Sequence, residues 1–221
     1  MNKIFKKCID NIFNKTKNRK FKHWLWKRFY QDDFIAEVNE LTGLSINAYT
    51  FNKLVECWFD HLSNEEVEKF YPGFSSYQEV FGKLVCKYNL LSQVVLIKEQ
   101  YPLISRWMYN GLVYRVMDNE QINFNNEIAS WTNTYQWLSE FFNQDYDNIK
   151  KTIIVGNTND YYGFNFGSYA MIAMKQPKPY MFVEHEIIFP MSSQYGIAVL
   201  YGTWNEFKAN VKQLNLLFRK D

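Results

Sequence analysis

Leu112-Val113-Tyr114-Arg115-Val116-Met117 is the stretch at which the chain changes character. It is a short run of aliphatic and aromatic residues, and it reads as a strand. Similar β-rich runs follow at residues 151–155, 169–174, 184–189 and 197–201, separated by loops rich in Gly, Asn and Pro. Helices are expected at residues 134–142 and 204–217.

Upstream of about residue 106 the period is helical. Ile4, Phe5, Cys8, Ile9, Ile12 and Phe13 recur at helix spacing, with lysines on the other side. A second segment, 29–41, stops at Gly43. Asn47 or Thr50 caps a third that contains Leu54, Val55, Trp58 and Leu62. Ser63-Asn64-Glu65-Glu66 has the form of a capping box and opens a fourth, which ends before Pro72-Gly73. Residues 77–101 offer one long or two shorter helices closed by Pro102. The layout is α+β, with a helical region at 1–105 and a strand-rich region at 106–221.

Composition narrows the classes. The chain has 221 residues, 47% hydrophobic and 22% charged, which is the balance of a folded protein and not of a disordered one. Seven Trp, 16 Tyr and 19 Phe supply enough bulky apolar surface for a core without cross-links. No apolar run approaches the length of a bilayer span, and no cleavage site follows the basic N-terminus, so a cytoplasmic protein without a transmembrane segment is expected. Cys8, Cys57 and Cys86 have neither metal-ligand nor disulfide-framework spacing. His23, His61 and His185 show no metal-ligand spacing either, and no metal site is expected.

Charge is unevenly spread. Residues 1–28 carry ten Lys and Arg against Asp10 alone, whereas the rest of the chain is net acidic. Phe5, Phe13, Phe21, Trp24, Trp26 and Phe29 interleave with these cations. The pattern fits RNA or DNA, an anionic membrane surface, or a solvated helix face whose apolar side docks on the core.

Three strings in the second half carry polar groups that could do chemistry. The first ends in Arg115, the second is Ala129-Ser130-Trp131-Thr132, and the third is Glu184-His185-Glu186-Ile187-Ile188-Phe189-Pro190. In an extended strand Glu184 and Glu186 share a face and His185 takes the other. Two neighbouring carboxylates repel, which raises one pKa and leaves the other ionised. Taken singly, each string has an ordinary reading as a surface arginine, a helix cap or a solvated strand edge.

Taken in order, Arg, then Ser-x-Thr, then Glu-x-Glu with trailing aliphatics, an aromatic and a proline resembles the ADP-ribosyltransferase family, most closely its cholera-toxin-like branch. The resemblance covers residues 106–221. Val116 stands where the family often has glycine, and Trp131 replaces a small hydroxylated residue.

The resemblance implies an NAD-binding fold that cleaves the nicotinamide–ribose bond of NAD and passes ADP-ribose to a macromolecular acceptor, nucleic acid or protein side chain. It implies Glu186 as the carboxylate beneath the ribose and Glu184 as the group that orients or deprotonates the acceptor. Arg115 would clamp the pyrophosphate, Ser130 would fix the rotamer of the catalytic glutamate, and Thr132 would support the strand. Trp131, Tyr180 and Phe182 would stack on nicotinamide or pack in the core, and residues 157–167 are a candidate lid. By the same analogy, such a toxin-type or defence-type enzyme needs a neutralising, antitoxin-like partner. The competing reading is a non-catalytic binding or immunity-type protein that uses exposed aromatics as anchors.

Overall fold

The computed structural model describes residues 3–93, 96–118, 122, 124–125, 127–157, 161–175, 177, 185–192 and 197–217. The architecture is α+β: a helical N-terminal half is followed by a curled seven-strand antiparallel sheet. Two compact units make up the chain. One is Met1–Trp107 with Phe166–Phe182, and the other is Met108–Asn165 with Val183–Asp221.

The helical unit contains α1 (Lys3–Lys15), α2 (Arg19–Phe29), α3 (Gln31–Thr42), α4 (Ala48–Phe59) and α5 (Asn64–Phe70). A π-helical turn at Gln78–Gly82 leads into α6 (Lys83–Ser92), and α7 (Ile97–Gln100) and α8 (Pro102–Ser105) follow. The expected boundaries have visible causes. Gly43 closes α3 in the left-handed conformation at φ 71°. The Asn47 side chain accepts from the Thr50 N–H at the start of α4. Both halves of the Ser63–Glu66 capping box are formed. α7 stops just ahead of Pro102, which is also the first residue of α8. The free N–H groups of Leu103 and Ile104 there are met by the Glu37 carboxylate at 3.0 and 2.9 Å.

Residues 169–174 are a correction: 169–173 belong to helix α9 (Phe166–Ala173), and Met174 follows it, so no strand forms there. The buried residues of α9 are Phe166, Gly167, Tyr169, Ala170 and Ala173, whose spacing of three and four is helical. Tyr169 sits among the rings of Trp26, Phe34, Phe51 and Trp107, at centroid distances of 5.3 to 5.9 Å. Its hydroxyl donates to Asn52 Oδ1 at 2.8 Å. The Arg19 guanidinium donates to the carbonyls of Met171 and Met174, and His23 Nδ1 bonds that of Ile172, so α2 caps the open end of α9.

The second unit is built on β1 (Met108–Tyr109), β2 (Leu112–Met117), β3 (Ile128–Thr132), β4 (Lys150–Asn157), β5 (Gly163–Asn165), β6 (Glu186–Pro190) and β7 (Ile197–Thr203). Their order across the sheet is β1-β5-β6-β3-β2-β4-β7. One face carries Val113, Ala129, Trp131, Ile154, Ile187 and Phe189 in a core. On the other face Tyr114, Ile153 and Val155 pack with Leu138 and Phe142 and with Trp204, Phe207 and Val211. Leu138 and Phe142 come from a 3-10 helix at Tyr135–Phe142, which replaces the expected regular helix, and the last three from α10 (Trp204–Leu217).

Candidate functional site

The sheet order assembles the three strings. β6 crosses in beside β3, and β3 lies beside β2, so the strands bearing Arg115, Ser130 and Thr132, and Glu186 are neighbours although far apart in the chain. Tyr114 pairs with Thr132, and Thr132 pairs with Glu186. Side chains in register across adjacent strands share a face, so these three form one row. Ser130 is opposite Ile188, one diagonal step from Glu186. The side chain directly across from the glutamate is therefore that of Thr132 and not that of Ser130.

Arg115 is one residue beyond the row and starts on the opposite pleat, with Val113. Among the described residues β2 and β3 pair at Tyr114↔Thr132 alone, whereas β2 and β4 pair at six positions. Where that pairing ends, the Arg115 side chain turns back across to β3, and its Nη1 donates to the Ser130 carbonyl at 2.5 Å. Burial pulls the guanidinium pKa below its ordinary value, and the negative charge of Glu186 opposes that shift. Its Nε–H is buried without a hydrogen-bond partner. An unsatisfied buried N–H on a cation is costly, and an anionic ligand would relieve it.

Glu186 opens β6 and is 5% exposed. A carboxylate so buried is rare unless its charge is used or compensated. The expected alternation does not extend upstream of it. His185 lies outside the strand with φ 46°, in the left-handed region, and its carbonyl accepts from Asn133 N–H at 3.3 Å. The strand expected over 184–189 is thus Glu186–Pro190, and Glu184 lies outside the described residues. The Thr132 hydroxyl accepts from the Thr134 N–H at 3.1 Å, which fixes the turn leaving β3.

No family model, curated protein or solved structure matches this chain.

Other expected contributors are placed differently. Trp131 is buried in the sheet core and its indole N–H donates to the Phe189 carbonyl at 2.9 Å, so it is a packing residue. Tyr180 and Phe182 lie outside the described residues. The proposed lid at 157–167 contains β5 and the first turn of α9, with Phe164 and Phe166 fully buried. Gly163 packs tightly there: a Cβ at that position would come within 2.5 Å of Ile187 Cγ2. Tyr114 carries no signal of a site in the sequence, yet it lies in the Thr132–Glu186 row. Burial pushes its phenol up to about 12, so it stays protonated at neutral pH. Only knowledge of strand pairing could have singled it out. All three cysteines are free, and among the described residues no cluster of three His, Cys, Asp or Glu could hold a metal.

Proposed function

We propose that the chain is a mono-ADP-ribosyltransferase that cleaves NAD and transfers ADP-ribose to a nucleophile on a macromolecule. The observation that carries this reading is the adjacency of β2, β3 and β6, which puts an arginine, a Ser-x-Thr and a buried glutamate that the sequence presents far apart on neighbouring strands. The chemistry wants such a set. As the bond between nicotinamide and ribose breaks, nicotinamide leaves with the electron pair and positive charge builds on the sugar. A buried carboxylate is a strong partner for that charge, because little water screens it. Glu186 takes this role. A new bond then forms from the acceptor's nucleophile to the ribose carbon, and the nucleophile's proton passes to a base, for which Glu184 is the candidate.

Arg115 binds the pyrophosphate, and its orphaned Nε–H is the donor that fits an anion. Ser130 holds Arg115 through its carbonyl, while Thr132 backs Glu186 from the next strand. Such supporting contacts hold reacting groups in place before substrate arrives.

The test is incubation of the full chain with adenylate-labelled NAD and a cell lysate, followed by separate protease and nuclease digestion. Label sensitive to one treatment identifies the acceptor class. No transfer, with no NAD binding by calorimetry, would overturn the reading in favour of a binding protein.

A further inference from the structure

The helices of the basic arm present an apolar surface that their own unit leaves uncovered. On α1, Ile9 and Phe13 are buried. Ile4, Cys8 and Ile12 form the adjacent arc, four residues apart, and Ile4 and Ile12 are 74% and 43% exposed. On α2, Leu25 and Trp26 are buried, whereas Phe21 and Trp24 face solvent, Trp24 at 53% exposed. Rings connect the two helices. Phe5 meets Phe29 edge-on at 6.0 Å, Phe29 meets Trp24 at 5.8 Å, and Trp24 stacks on Phe21 at 5.8 Å and 9°. Isolated exposed apolar residues are ordinary, but a connected strip of them is a contact surface.

Cations accompany the strip. Lys7, Lys15, Lys20, Lys27 and Arg28 are exposed on the same two helices, and Lys17 on the link between them. Asp10 is the only acid among residues 1–28, and it is already engaged by Arg106 and by the Tyr30 hydroxyl, each at 2.9 Å. The surface therefore combines exposed apolar side chains with an excess of positive charge.

We propose that this face docks α1 and α2 on an anionic lipid surface, with the helices lying in the plane of the headgroups and Ile4, Ile12, Phe21 and Trp24 sunk among the acyl chains. Helices with aromatic and aliphatic residues on one side and lysines on the other bind in this way. The geometry favours lipid over nucleic acid. Base stacking needs open ring faces, and Phe21 and Trp24 use a face on each other. Ile4 and Ile12 have no π face, and a hydrated polyanion would return little for their burial, whereas an acyl boundary takes them favourably. The inference is independent of the transferase reading.

The experiment is sedimentation of the full chain with phosphatidylcholine vesicles and with vesicles that also contain phosphatidylglycerol. Binding to the anionic vesicles is expected to be at least about tenfold tighter and to weaken as salt is added. The double variant Ile4→Ser/Ile12→Ser should weaken vesicle binding about tenfold with the circular dichroism spectrum unchanged. Lys17→Glu/Lys20→Glu should abolish the preference for anionic lipid. Equal partitioning to both vesicle types would overturn the proposal. So would tight binding of a single-stranded RNA oligonucleotide that persists in the Ile4/Ile12 variant and displaces the vesicles.

Discussion

Thr132 stands directly across from Glu186 on the neighbouring strand, and both side chains are buried. The carboxylate is thus held at the start of β6 in an environment with little water, where its charge acts strongly on whatever lies beside it. Glu186→Gln keeps the shape and removes the charge. Transfer from labelled NAD should fall by about two orders of magnitude or more, as loss of a transition-state charge partner generally causes. Turnover within threefold of the parent would remove Glu186 from the reaction.

Arg115→Lys preserves the positive charge but loses the planar fork and the Nε–H. Affinity for NAD, read by calorimetry, should drop about tenfold or more, and raising the NAD concentration should restore much of the rate. Unchanged affinity would mean that the guanidinium holds Ser130 and nothing else.

Tyr169 fills the middle of the helical unit. Truncation by Tyr169→Ala should cost about 3–5 kcal/mol in urea unfolding, the range for large aromatic side chains in a core. Tyr169→Phe keeps the ring contacts and loses only the bond to Asn52, at a cost of about 1–2 kcal/mol. Similar values for the two variants would show that the ring contacts contribute little.

Tyr30 sets an alkaline limit. Burial, together with the Asp10 carboxylate that its hydroxyl bonds, pushes its pKa up to about 12 from 10.0. The folded chain keeps this proton at pH values where the unfolded chain has released it. Stability from this group is therefore complete below about pH 10 and is lost as pH rises through about 12. Urea midpoints measured from pH 8 upward should decline less steeply for Tyr30→Phe than for the parent; matching slopes would exclude this linkage.

Much of the fold could be read because its signals are local. Gly43, Asn47 and the Ser63–Glu66 box act within a few residues of themselves, and β2 and α10 have the boundaries their patterns imply. The failures came where distant partners decide. Residues 169–174 resemble a strand until Phe166 is counted with them, after which the buried positions follow a helix. β3 looks like a capping segment because Ser130 and Thr132 are polar, and only pairing with β6 makes it a strand. At the site, the residue types were legible but their arrangement was not. The left-handed His185 breaks the alternation that Glu184-His185-Glu186 implies, and the row joining Tyr114, Thr132 and Glu186 depends on a register that no single string contains.

The position of α9 also dictates the order of events at the ribosome. Among the described residues, 3–105 contain eight of the ten α-helices, but the phenol ring at their centre arrives only with residue 169. Until the tunnel has released that segment, Trp26, Phe34 and Phe51 must wait around an unfilled middle, and Arg19 has no carbonyls to grip. The front half therefore completes its packing only after most of the sheet has been made.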